Sequence, residues 1–211
     1  MNIYDISMDI NKNMKVYKNK KEKIPNFINK SNFENSKAYE TDIKLNLHTG
    51  THIDAPLHMI KNGNTIDKYN LDKFITECKV LDLTGVENAI DKKNLIDKNI
   101  KKNDFLLFKT KNSFDKKFNF NFIYLNQSGA KFLKDKSIKG VGIDSLGIER
   151  NQDDHPTHKI LLSNNIPIIE GLNLKDIKKG KYILIALPIK INNVEASLTR
   201  AVLIDKKDLV F

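Results

Sequence analysis

Three of the chain's five histidines fall in one short stretch, HTGTHIDAPLH from His48 to His58, together with Asp54. His48 and His52 are four apart, a spacing that would stack two imidazoles on one face of a helix. A helix is disfavoured here, because Thr49, Gly50 and Thr51 are poor helix formers and Pro56 restricts Ala55. The stretch reads instead as a strand ending in a glycine-permitted turn, which can aim His48, His52 and Asp54 at one point. Two neutral imidazoles and a carboxylate suit Zn²⁺, Mn²⁺ or Fe²⁺ and leave a place for water. Asp54 has two oxygens and could bridge two ions. His58, beyond Pro56, is either a further ligand or a general acid–base group, since imidazole titrates near neutrality. Thr51 is a turn residue that could brace a ligand from behind.

The remaining histidines, His155 and His158, sit together far downstream. His158 falls in the first turn of a helix predicted over HPTHKILLSNN (155–165), and Glu170 ends the strand IPIIE (166–170) just before Gly171. Helix starts and the carboxyl ends of strands converge on the active edge of an α/β sheet. His158 and Glu170 would then complete the set begun by His48, His52 and Asp54. Five ligands exceed what one tetrahedral catalytic zinc takes, whereas two ions about 3.5–4 Å apart and sharing Asp54 would use them all. The plainer readings are that Glu170 is a charged strand end, His155 a loop residue and Cys78 a small core residue. Asp144, closing IKGVGID (138–144), is a cap or a site residue.

The elements that must carry these groups are legible from periodicity. TDIKLNLH alternates, with Ile43, Leu45 and Leu47 on one side and His48 at the end of the polar side, as in a half-buried strand. CKVLDLTG (78–85), DFLLFKT (104–110), IKGVGID, IPIIE, KYILIALPI (181–189) and RAVLID (200–205) also predict strands. NQSGAKFLKDK (126–136), with Asn and Ser at its start, predicts a helix. So does 155–165, where Pro156 suits a first turn. The polar run from Lys12 to Ser36 predicts a long loop with short pieces of order. Strands mixed with a few short helices give an α/β or α+β fold with a mixed sheet. Without a linker or a repeat, residues 1–211 are expected to form one domain.

Composition narrows the function. The formal charge is +10, but the lysines are scattered, and Arg150 and Arg200 are the only arginines. Arginine makes the forked contacts to phosphate and guanine, so a nucleic-acid-binding protein is a distant alternative. No apolar run approaches the roughly 20 residues of a membrane span. A single cysteine and a first segment without a basic start and apolar run are expected of a cytoplasmic protein.

With both clusters in hand, the sequence resembles the cyclase family of metal-dependent hydrolases, which includes bacterial kynurenine formamidase and isatin hydrolase. The family motif His-x-Gly-Thr-His-x-Asp-x-Pro-x-His is complete in HTGTHIDAPLH. The likeness continues through NGNTIDKYNL (62–71), DFLLFKT, VGIDS (141–145), HKILLSNNIPIIEGL (158–172) and LPIKINNVEASLTRAV (187–202). The resemblance implies that His48, His52 and Asp54 are first metal ligands. His158 and Glu170 would bind a second ion with the shared aspartate, and His58 would move protons. It further implies one or two divalent ions per chain, zinc or else manganese, and a homodimer or homotetramer. The fold implied is a compact α/β domain, a mixed β-sheet or barrel flanked by short helices (swivelling β/β/α). The activity implied is hydrolysis of an amide-type bond in a small molecule. That molecule is an aryl formamide such as N-formylkynurenine, or in the alternative a cyclic amide or lactone; a relative that binds metal without turnover is the other alternative. Two departures bear on the substrate: Lys18 and Asn19 follow Tyr17 where the family usually has Pro-Gly, and there is no tryptophan.

Overall fold

The computed structural model of the chain describes residues 2–205. Thirteen strands occur among them: β1 (Ile3–Asp5), β2 (Asn26–Ser31), β3 (Glu40–Lys44), β4 (His52–Asp54), β5 (Ile75–Asp82), β6 (Ala89–Ile90), β7 (Phe105–Lys109), β8 (Tyr124–Leu125), β9 (Gly140–Ile143), β10 (Ile168–Glu170), β11 (Gly180–Ile185), β12 (Ala196–Leu198) and β13 (Val202–Asp205). Three α-helices intervene: α1 (Lys92–Leu95), α2 (Gln127–Asp135) and α3 (Pro156–Ser163). Nine of the strands form one mixed sheet in the order β1-β13-β11-β5-β7-β9-β10-β4-β12. The neighbours β5, β7, β9 and β10 run parallel, and antiparallel strands flank them on both sides. The sheet runs from β1 to β12, and a bridge between Pro188 and Thr199 ties the chain after β11 to the chain after β12, so the expected sheet or barrel is a curled half-barrel.

The parallel centre explains its own sequence. Strands covered on both faces read as continuous apolar runs, and Phe105, Leu106, Leu107 and Phe108 of β7 are all fully buried. Leu106 and Phe108 pack with Leu133 of α2 and with Leu161 and Leu162 of α3. Phe105 and Leu107 enter a second core with Val80, Ile169, Leu184 and Leu203. Truncating Phe105 or Phe108 to alanine should therefore cost about 3–5 kcal/mol. Helix α2 starts where the sequence placed it, with the Asn126 side chain accepting from the Gly129 amide at 3.0 Å. Helix α3 opens on Pro156.

One expectation fails. The alternating TDIKLNLH is not a core strand running to His48. Its strand stops at Lys44 and pairs only with β2, in a hairpin outside the main sheet. Every residue of β3 is exposed, Ile43 by 54 %. The Asn46 side chain then accepts from the His48 amide and begins the turn that replaces the strand. The segment predicted as a long loop supplies the other hairpin strand, β2. No helix among the described residues is long and apolar enough to cross a membrane.

Candidate metal centre

Strand β4 carries the core of the site. Side chains alternate along a strand, so His52 and Asp54 share one face while Ile53 enters the core on the other. In the antiparallel register His52 lies opposite Glu170 and Asp54 opposite Ile168 of β10. The His-x-Asp spacing is thus a strand spacing. The glycine-permitted turn precedes the strand rather than ending it. Gly50 has φ +65° and its carbonyl accepts from His52 Nδ1 at 2.9 Å. That bond leaves His52 Nε2 as the free lone pair, facing Asp54 Oδ1 at 3.5 Å and Glu170 Oε2 at 3.4 Å.

The turn is itself tied to β10. The Thr51 hydroxyl donates to the Gly171 carbonyl at 2.6 Å and accepts from the Met8 amide at 2.8 Å. Gly171 has φ +69°, and a side chain there would meet the Gly50 carbonyl at 2.4 Å. Only glycine fits this close approach. Thr51 therefore braces the turn between Gly171 and Met8.

The predicted ligands come together around Asp54. His48 Nδ1 is 3.0 Å from Asp54 Oδ1, and His158 Nε2 is 3.8 Å from Asp54 Oδ2 and 3.4 Å from Glu170 Oε1. Glu170 stands between His52 and His158, touching both. Its Oε1 also accepts from the Ile148 amide at 2.6 Å. His58 sits in the 3₁₀ turn Pro56–His58, its ring 4.3 Å from that of His48 and 5.6 Å from that of His158. Two triads that could hold an ion share the aspartate: His48, Asp54 and His58, and His52, Asp54 and Glu170.

This cluster is short of positive charge. Asp54 is completely buried, yet neither of its oxygens accepts a well-directed hydrogen bond, and His52 Nε2 is likewise without one. Buried carboxylates are otherwise hydrogen-bonded, paired or bound to metal. The orphaned oxygens and the converging imidazole nitrogens fit one or two divalent ions in a nitrogen- and oxygen-lined site. With protons as the only cations, burial would lower His158, but hydrogen bonding to Glu149 and Glu170 and the charge of Asp54 carry it up to about 10. Burial likewise opposes a charge on His52, and its carboxylate neighbours raise it. Burial and the Glu170 charge press Asp54 upward, and the histidines around it hold it below its usual range. His58 moves the other way: desolvation is the largest influence and lowers it, keeping the imidazole neutral.

Two groups were not legible beforehand. Glu149 is buried and its Oε1 contacts His158 Nδ1, with His155 Nδ1 on the same oxygen at 3.2 Å. His155, read as a loop residue, is thus a neighbour of the site. Glu195, just before β12, places Oε1 3.4 Å from His48 Nε2. Neither has a spacing signal; only the pairing of β12 with β4, Ala196 opposite Asp54, brings Glu195 in. Asp144 accepts from the Thr110 and Ser113 amides and hydroxyls and from the Asn112 side chain, fastening the loop after β7. Cys78 is a core residue, and burial pushes its thiol up.

A narrow crevice beside His48 is lined by Val16, Tyr17, Lys23, Thr49, Gly50 and Leu146. Tyr17 and Leu146 continue into an aromatic cluster with Phe118 and Phe122, the Tyr17 and Phe118 rings meeting edge to face at 5.3 Å. The residues that replace Pro-Gly, Lys18 and Asn19, both adopt positive φ, 56° and 52°. They make the tight turn that directs Tyr17 into the crevice. A groove of about 1190 Å³ lies along β5 and β11 and includes none of the site histidines.

Comparison with known proteins agrees with this geometry. A kynurenine formamidase from Salinibacter ruber (strain DSM 13855 / M31) is 30 % identical over 211 residues, covering 99 % of this chain and 100 % of that one. Among solved structures, a predicted metal-dependent hydrolase from Bacillus stearothermophilus superposes with a TM-score of 0.88 at 46 % identity, covering 96 % of this chain and 97 % of that one. Isatin hydrolase A from Labrenzia aggregata has the same fold, with a TM-score of 0.84 at 20 % identity over 97 % of this chain and 94 % of that one. Residues 4–150, which include the whole His48–His58 motif, match the Cyclase family, and the chain belongs to that family.

Proposed function

We propose that the protein is a metal-dependent hydrolase of an amide-type carbon–nitrogen bond, with an aryl formamide such as N-formylkynurenine as substrate. The observation that carries this reading is the convergence of His48, His52, His158 and Glu170 on Asp54, a buried carboxylate whose oxygens accept no well-directed hydrogen bond. These five would hold one or two ions, zinc or else manganese, with Asp54 shared. A bound divalent ion supplies Lewis acidity, which acidifies water and polarises a carbonyl.

The chain's own groups then do the rest. Neutral His58 would take the proton of the attacking water and return it to the leaving nitrogen. Its lowered basicity supports this role, because only the neutral ring can accept. Tyr17, with Phe118 and Phe122 behind it, would offer an aromatic surface beside His48 in place of the missing tryptophan. The two-stranded hairpin β2–β3 exposes Ile28, Phe33, Tyr39 and Ile43. Isolated hairpins are marginally stable, which supports assembly into a homodimer or homotetramer. The single, buried Cys78 is in keeping with the cytoplasm. A second reading, hydrolysis of a cyclic amide or lactone, uses the same groups and is favoured by the structural likeness to isatin hydrolase A.

The test is a hydrolysis screen of aryl formamides, cyclic imides and lactones on protein loaded with Zn²⁺ or Mn²⁺. Turnover of aryl formamides is expected. Turnover confined to cyclic substrates would select the second reading, and none at all would leave a metal-binding relative without activity.

A further inference from the structure

We propose that Glu149 is a positioning residue of the metal centre, fixing His158 so that Nε2 faces Asp54 and Glu170. A ring nitrogen that donates a hydrogen bond leaves the opposite nitrogen as the lone pair, and a carboxylate partner also raises the basicity of that lone pair. For His52 the Gly50 carbonyl does this. His158 has no carbonyl partner; its Nδ1 meets Glu149 Oε1. The carboxylate is immobilised in turn. Glu149 Oε2 accepts from the Thr157 amide at 3.0 Å and from the Gln152 side chain at 2.9 Å, and His155 Nδ1 lies 3.2 Å from Oε1.

The backbone around it points the same way. Between Glu149 and α3, Asn151, Asp154 and His155 all adopt positive φ, at 49°, 62° and 50°. Asn and Asp tolerate the left-handed region, so the strain of this loop falls on His155, the residue immediately before α3. Here the loop folds back so that one buried carboxylate caps the start of α3 and grips the ring of the helix's third residue. His155, 59 % exposed at its side chain, closes the outer side.

This inference rests on the metal reading above, so its readout is ion affinity rather than turnover. The variants are Glu149→Gln, Glu149→Ala and His155→Ala, titrated with Mn²⁺ and Zn²⁺ against a chelator, with ion-free unfolding followed in parallel. Glu149→Gln keeps the shape and one acceptor but loses the charge, and it is expected to weaken binding roughly 10-fold. Glu149→Ala should weaken it towards 100-fold, the upper end for such outer partners. His155→Ala should stay within about threefold, a smaller loss because it touches His158 only through Glu149. If Glu149 merely capped α3, Glu149→Gln would lower the ion-free unfolding temperature and leave affinity at the wild-type value, which would overturn the proposal. Loss of one bound ion in His155→Ala would overturn it as well, because Glu149, His155 and His158 would then be a binding site of their own. A wild-type protein that binds ions without hydrolysing any substrate would refute the proposed activity and leave the role of Glu149 standing.

Discussion

Asp54→Asn separates a metal centre from a mere cluster of buried ion pairs. The substitution preserves shape but removes the charge that His48, His52 and His158 all face. An ion that binds only the folded state stabilises it by RT ln(1 + [L]/Kd), about 2.7 kcal/mol at one hundred times Kd. Unfolding entropy near 2.1 cal/mol/K per residue gives about 440 cal/mol/K for a chain of this size, so that stabilisation raises Tm by about 6 °C. If Asp54 bridges the ions, losing it should weaken binding by at least about 100-fold. The same ion concentration then contributes about 0.4 kcal/mol, or about 1 °C. The assay is thermal unfolding of both proteins after chelator treatment, with and without added Mn²⁺. A full wild-type shift in Asp54→Asn would refute the assignment of Asp54 as the shared ligand.

Other consequences follow from the same geometry. His58→Ala should keep its metal while turnover falls by about 10²–10⁴; unimpaired turnover would remove His58 from the mechanism, and loss of an ion would make it a ligand. Gly171→Ala would press a methyl group against the Gly50 carbonyl that orients His52. It should cost about 1–3 kcal/mol in denaturant unfolding and weaken metal binding; a loss under about 0.5 kcal/mol would contradict the close approach. Ion-free protein should show a specific pH dependence. His158 is raised from 6.5 to about 10 in the fold, so its contribution is complete below pH 6.5 and is lost as pH rises through 10. Stability should fall across that window in chelator-treated protein, and a flat profile would contradict the His158 contacts. Because Zn²⁺ or Mn²⁺ must displace that proton, their affinity should rise with pH over the same range.

What could be read in the chain beforehand follows from where the information is local. His48, His52, Asp54 and His58 lie in one motif, and a turn excluding helix is written in Thr49, Gly50, Thr51 and Pro56. The alternation of β4 then needs only two residues to put His52 and Asp54 on one face. His158 and Glu170 were reachable because a helix start and a strand end flank them. Glu149 was not, since its loop takes left-handed turns at Asn151, Asp154 and His155, none of them glycine, and no periodicity announces such a path. Glu195 was hidden because only cross-strand register brings it to His48. The β3 error has a related cause: alternation of Ile43, Leu45 and Leu47 looks the same whether the apolar side meets a core or lies open on a hairpin. Lysine-rich charge likewise said little about the site, where half-buried Lys23 lines the crevice without ion-pairing among the described residues.

The most direct measurement is anomalous diffraction from crystals of protein purified without chelator, collected on either side of the zinc and manganese absorption edges. The account predicts a peak about 2.0–2.2 Å from an Asp54 oxygen, with His52 and Glu170 or His48 completing its coordination. A map with no peak beside Asp54, or with its peak at Glu149 and His155 instead, would contradict it.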